Sequence, residues 1–153
     1  MSKKKVQYIP EGSSVWQEKF INCMMKAGKK SVSRRIFNQA MHRLSEMGIK
    51  NPLDTFKKAI QIVMPHTEVK ARRVGGSVYQ IPIQVNPKRQ LTLSIRWIIG
   101  ACRGKKGKAM YEKLAQELLD ASKETGAAFK KREDVHRMAI ANKAFAHFAR
   151  YNR

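Results

Sequence analysis

The chain has 153 residues, 42% of them apolar, with 32 Lys and Arg against 11 Asp and Glu for a net charge of +21. That length suits one domain with a real core, and the charge favours a dense polyanion as partner and opposes self-association. No apolar run reaches the eighteen or so residues of a membrane span, the start MSKKKVQYIPEG lacks the apolar stretch of a signal peptide, and the cations are not set opposite bulky apolar residues as a membrane-surface helix requires.

Residues 1–12, opening on Lys3, Lys4 and Lys5, show no periodicity and are expected to form a basic flexible tail. Ser13 or Ser14 can cap a first helix with Val15, Trp16, Phe20, Ile21, Met24 and Met25 on its buried stripe, ended by Gly28. Ser31 can open a second, whose apolar face is Val32, Ile36, Phe37, Ala40, Met41, Leu44 and Met47. Asn51-Pro52 signals a third, running to Met64 and stopped by Pro65.

Next comes KARRVGGSVYQIPIQV, Lys70 to Val85. Two adjacent glycines between strand-forming runs predict a hairpin arm over about 68–85, because a two-residue turn needs positive φ at both positions. Its register pairs Val74 with Ser77, Arg72 with Tyr79 and Lys70 with Ile81. One face then carries cations beside an aromatic and an aliphatic, which is unlike a core, so the arm is expected to project. Asn86-Pro87 reads as a turn, and Leu91 to Cys102 as a central helix whose one charge is Arg96. A flexible cationic loop, Arg103 to Lys108, precedes a fifth helix over 109–125 that Gly126 terminates; Lys130 to Arg137 lead into a last helix reaching about Tyr151. The expected fold is mainly α, a single-domain bundle of about six helices over 13–153 with a protruding two-stranded arm.

Catalysis has little to work with. The acids are scattered, His42, His66, His136 and His147 are far apart in sequence, and neither Gly75-Gly76 nor Gly28-Lys29-Lys30 completes a phosphate-binding loop. Cys23 and Cys102 have no metal-site spacing and read as small buried hydrophobes. No enzyme activity, cofactor or metal is expected. The informative feature is a set of basic clusters: Lys3 to Lys5; Lys26, Lys29, Lys30, Arg34 and Arg35; Lys70, Arg72 and Arg73; Lys88 and Arg89; Arg103 to Lys108; and Lys130 to Arg132 with Arg137. Each lies in a loop or helix start, where side chains and free amides can jointly hold phosphates. Their spread implies folded RNA around several sides, with a DNA-bending architectural protein using a basic arm as the alternative. Tyr8, Trp16 and Tyr79 could stack on bases, although Trp16 lies in an apolar stripe.

The segments Val69 to Ile83, GKKS at Gly28 to Ser31, LSIRWII at Leu93 to Ile99, KKREDVHRMA at Lys130 to Ala139 and NKAFAHF at Asn142 to Phe148 resemble ribosomal protein seven of the small subunit, in its bacterial and organellar form. The resemblance covers the chain from about Tyr8 onward. It implies six helices with a β-ribbon, binding to the 3′ major (head) domain of small-subunit rRNA, nucleation of head assembly, and a place beside exit-site tRNA, mRNA and neighbouring head proteins. It puts rRNA contact on Lys3, Lys4, Lys5, Lys29, Lys30, Arg34, Lys70, Arg72, Arg73, Arg96, Arg103, Lys105, Lys106, Lys108, Lys130, Lys131 and Arg132. Val74, Gly75, Gly76, Ser77, Tyr79, Arg137, Lys143 and Arg150 would face tRNA and mRNA. The implied location is the ribosome of a bacterial cytoplasm, a plastid or a mitochondrion.

Overall fold

The computed structural model describes residues 9–150, the side chain of Arg150 excepted. The expected tail at Lys3 to Lys5, Tyr8 and the final residues from Tyr151 lie outside them. The order is α1 (Val15–Met24), α2 (Lys30–Glu46), α3 (Pro52–Val63), β1 (Thr67–Val74), β2 (Ser77–Gln84), α4 (Pro87–Gly104), α5 (Met110–Ser122), α6 (Gly126–Ala141) and a terminal 3-10 helix (Lys143–Arg150).

Ser14 caps α1 through a reciprocal box: its hydroxyl accepts from the Gln17 amide at 3.3 Å, and Gln17 Oε1 accepts from the Ser14 amide at 2.7 Å. The third helix runs from Pro52 as expected and ends at Val63, with Met64 as its C-cap, while several other expected boundaries moved. The first helix stops at Met24, four residues before Gly28, because Met25 already leaves helical geometry at φ −58°, ψ 139°; Ala27 and Gly28 then turn the chain with positive φ. The second starts at Lys30, ahead of Ser31, and Asn51 makes no side-chain cap for α3. Asn86-Pro87 is the start of α4: Asn86 Oδ1 accepts from the Lys88 amide at 3.3 Å and Pro87 takes the first helical position.

Gly126 opens α6 instead of closing α5. Its φ of +90° and the Glu117 carboxylate alongside explain why, since an added Cβ would stand 3.1 Å from Glu117 Oε1 and 3.0 Å from Asp120 Cβ. Glu117 caps α6 from the neighbouring helix, accepting from the Ala128 amide at 2.8 Å. Lys130 to Asp134 therefore lie inside α6, which ends at Ala141.

The core is a contiguous cluster drawn from α1 to α6, centred on Phe20, Phe37 and Phe56 with ring centroids 5.2–5.9 Å apart. Several expected core positions sit at its margin: Val15, Val32, Met47, Leu53 and Met138 are exposed and Trp16 is half-buried. Among the described residues, no helix is long and apolar enough to cross a membrane.

The two strands pair in the expected register, Lys70 opposite Ile81, Arg72 opposite Tyr79 and Val74 opposite Ser77. Gly75 and Gly76 both take positive φ, +56° and +88°. The cationic face, however, is the packed one. Ile81 is fully buried and Glu68 nearly so, while Ala71, Arg73, Val78 and Gln80 on the other face are exposed. Strand β1 lies against α6 and β2 against the terminal 3-10 helix. A lysine or arginine can serve on such a face because its aliphatic stem covers apolar surface while its head reaches the edge.

Candidate nucleic-acid interface

Three carboxylates organise much of the positive charge. Glu18, fully buried on α1, accepts from Arg34 Nη1 at 2.8 Å and Nη2 at 3.1 Å and lies 3.2 Å from Lys30 Nζ. Burial pushes its carboxyl up, but the hydrogen bonds from Arg34, Lys30 and Ser13 outweigh that and hold it below the usual carboxylate range. Glu117, also fully buried, takes Lys105 Nζ at 2.6 Å. Glu68, at the arm's root, accepts from Arg89 Nε at 2.8 and 2.9 Å and lies 3.7 Å from Lys70 Nζ.

These pairs divide the expected contact residues into two groups. Lys30, Arg34 and Lys105 are committed to buried acids, and Arg132 donates to the Ile62 carbonyl while its guanidinium lies over the Phe129 ring. The loop Arg103 to Lys108 is thus more ordered than expected: Arg103 and Gly104 finish α4, and the Lys105 carbonyl accepts from Lys113 Nζ at 2.6 Å. Lys29, Arg73, Arg96, Lys106, Lys108, Lys130 and Lys131 have exposed side chains.

Further cations are brought together by α4, Arg96 with no hydrogen bond or ion pair among the described residues and Arg89 and Arg103 each held by one protein group. Arg89, Arg96 and Arg103 are spaced by seven on this helix and all exposed, so they line one edge with a drift of about 20° per interval. At one end Arg103 Nη2 donates to the Met24 carbonyl at 3.0 Å, which seats the end of α4 beside Lys26 and Lys29 around a cleft of about 280 Å³. At the other, Lys19 Nζ donates to the Lys88 carbonyl at 3.4 Å, and Arg89 reaches Glu68 and the arm. The result is a band: the α1–α2 turn, Arg103, Arg96, Lys88 and Arg89, then Lys70 and the arm. The Arg96 guanidinium can take a phosphate in bidentate fashion, while Arg89 and Arg103 offer the donors that Glu68 and the Met24 carbonyl leave over.

Lys130 and Lys131 stand exposed on α6, and Arg137, 78% exposed, lies 3.8 Å from the Asp134 carboxylate. The hairpin tip, Val74 to Ser77, is mostly exposed, as is Lys143. Tyr79 is not free to stack: Phe145 and Phe148 both lie 5.1 Å from its ring. The expected contacts at Lys3, Lys4, Lys5 and the Arg150 side chain lie outside the described residues. Lys19 was missed, since its role comes from a partner 69 positions away. The heptad spacing of the arginines was visible in the sequence.

His42 lies 3.1 Å from the Glu46 carboxylate and His147 Nδ1 lies 2.9 Å from the Ala144 carbonyl, while two histidines 70 positions apart meet at the root of the arm. His136 Nε2 accepts from the His66 amide at 3.2 Å with the rings stacked at 6.1 Å, and burial, then the nearby Arg132, holds His136 below the ordinary imidazole range. Cys102 is buried, and that burial pushes its thiol up to about 12; Cys23 is half-buried and both are free.

The chain is 53% identical over 146 residues to the small ribosomal subunit protein uS7 of Nautilia profundicola, covering 95% of this chain and 94% of the relative. It is 51% identical over 148 residues to uS7 of Solidesulfovibrio magneticus, covering 97% and 95%. It is 54% identical over 129 residues to uS7c of Prototheca wickerhamii, covering 84% and 83%. The profile of the family described as Ribosomal protein S7p/S5e matches residues 1–143, and with half-identical relatives along nearly all its length this chain belongs to that family.

Proposed function

We propose that the chain is a structural, non-catalytic constituent of the small ribosomal subunit, working in the ribosome of a bacterial cytoplasm or organelle interior. It binds the 3′ major (head) domain of the small-subunit rRNA, nucleates folding of the head, and lies among neighbouring head proteins. Its hairpin tip at Val74 to Ser77 and its terminal helix lie near exit-site tRNA and mRNA. The observation that carries the reading is the band along α4, where Arg89, Arg96 and Arg103 connect the α1–α2 turn to the root of the arm. Recognition works by neutralising phosphates at many points and by fitting the shape of a folded RNA.

The test is a titration of a head-domain rRNA fragment across salt concentrations. With about eight phosphates neutralised, log K falls against log salt with a slope of about −6 to −7. A slope near zero overturns the reading. Equal competition by duplex DNA at fixed salt would favour a DNA-bending protein with a basic arm instead.

A further inference from the structure

The inward face of the arm holds a group that the fold does not satisfy. Arg72 Nη1 is buried and has no hydrogen-bond partner among the described residues. A buried donor of this kind calls for an explanation, and an anion absent from the protein itself is one. Directly across the strand pair stands Tyr79. Its ring is covered by Phe145, tilted 49°, and by Phe148, tilted 31°, both at 5.1 Å. A cation with a spare donor beside an aromatic face is the chemistry that takes one nucleotide, phosphate on guanidinium and base on ring. Here two phenylalanines occupy the place of the base.

The segment that brings them is built to come off. The stretch Lys143–Arg150 is an eight-residue 3-10 helix, and such helices rarely run beyond three or four residues because their hydrogen bonds are poorly aligned. It is set off from α6 at Asn142, which leaves helical geometry at φ −97°, ψ 13°. It docks on β2 through tilted ring contacts on Tyr79, an aromatic face that a nucleobase can also take.

We propose that the Arg72–Tyr79 face of the arm is a nucleotide-binding face held shut by the terminal 3-10 helix, and that single-stranded RNA opens it by displacing Phe145 and Phe148 from Tyr79. The proposal rests on the RNA-binding reading above and adds a ligand class and a gate to it. Apparent affinity is then reduced by the fraction of molecules in the open state, so a variant without the two rings binds an unstructured RNA more tightly.

The experiment compares the full chain with its F145A/F148A variant for binding an oligouridylate at fixed salt; neither substitution changes the charge. Expected is about tenfold tighter binding by the variant, the factor a one-in-ten open population would hide, lost again when Tyr79→Ala is added. Unchanged or weaker binding by a folded F145A/F148A overturns the proposal. A second measurement uses the unaltered chain with fluorinated phenylalanine: on adding the oligouridylate, the resonances of Phe145 and Phe148 should shift to solvent-exposed positions. If they stay in place while the RNA is bound, the gate does not exist, whether or not the variant folds. A chain that binds neither the oligouridylate nor the head rRNA fragment ends both readings; binding of the head fragment with the ring contacts intact ends only this one.

Discussion

A cation near RNA and a cation near a buried acid look alike in a sequence but answer differently when removed. Arg34 shows the second kind. Replacing it with Ala removes both guanidinium hydrogen bonds to the buried Glu18 carboxylate, so stability should fall by about 2 kcal/mol, readable by denaturant unfolding. Glu18 has its pKa depressed in the folded state, so its contribution is present above the unfolded value near 4.5 and lost as pH falls through the lower folded one. Arg34→Ala should accordingly move the acid-unfolding midpoint to higher pH. The cysteines give a second check at this scale: a maleimide should modify Cys23 well before Cys102, whose burial keeps the thiolate scarce. The sequence reading of both cysteines as small apolar residues was sound for Cys102, while Cys23 is only half covered.

Among the elements, the arm shows how far local chemistry reaches. Turn and register were legible because two glycines admit one kind of tight turn and the strand period does the rest. Which face would be covered was not legible, since that depends on α6 and the terminal helix being laid beneath it. Replacing Arg72 and Arg73 together with Ala should weaken binding to head rRNA and flatten the salt slope by about 0.7 to 1.8, one or two phosphates, with the melting temperature almost unmoved. Neither side chain has a hydrogen bond or ion pair within the described residues to lose. The arm's root behaves differently. His136 is depressed below 6.5, so its support of the His66 amide is full above that value and is lost as pH falls through the lower folded one. Hydrogen exchange at His66, corrected for the intrinsic rate, should accelerate on acidification below about pH 6.5; a flat profile would show that Arg132, Glu133 and His66 around the ring hold it regardless.

For the whole molecule, the useful contrast is between charge that faces outward and charge that holds the bundle together. Arg96→Ala should reduce the salt slope by about 0.7 to 0.9 and leave stability alone. Lys105→Ala should do the reverse, costing about 2 kcal/mol, or about 4–8 °C in melting temperature, through the buried Glu117, with little change in slope. If Lys105→Ala instead flattened the slope as strongly as Arg96→Ala, the division drawn here between the two groups would be wrong.

The chain's helical periodicity, its twin-glycine turn and its excess of cations determined that this is a helical, polyanion-seeking protein with a β-arm, because apolar spacing, backbone freedom and net charge are properties of neighbouring residues and of sums. Tertiary structure alone decided which cations are spent on Glu18, Glu68 and Glu117, that Glu117 caps a helix other than its own, and that Tyr79 lies under Phe145 and Phe148. Apart from the Lys70–Glu68 pair, each of these joins residues eleven or more positions apart, and an ion pair or ring contact exists only once packing has brought both partners within a few ångströms.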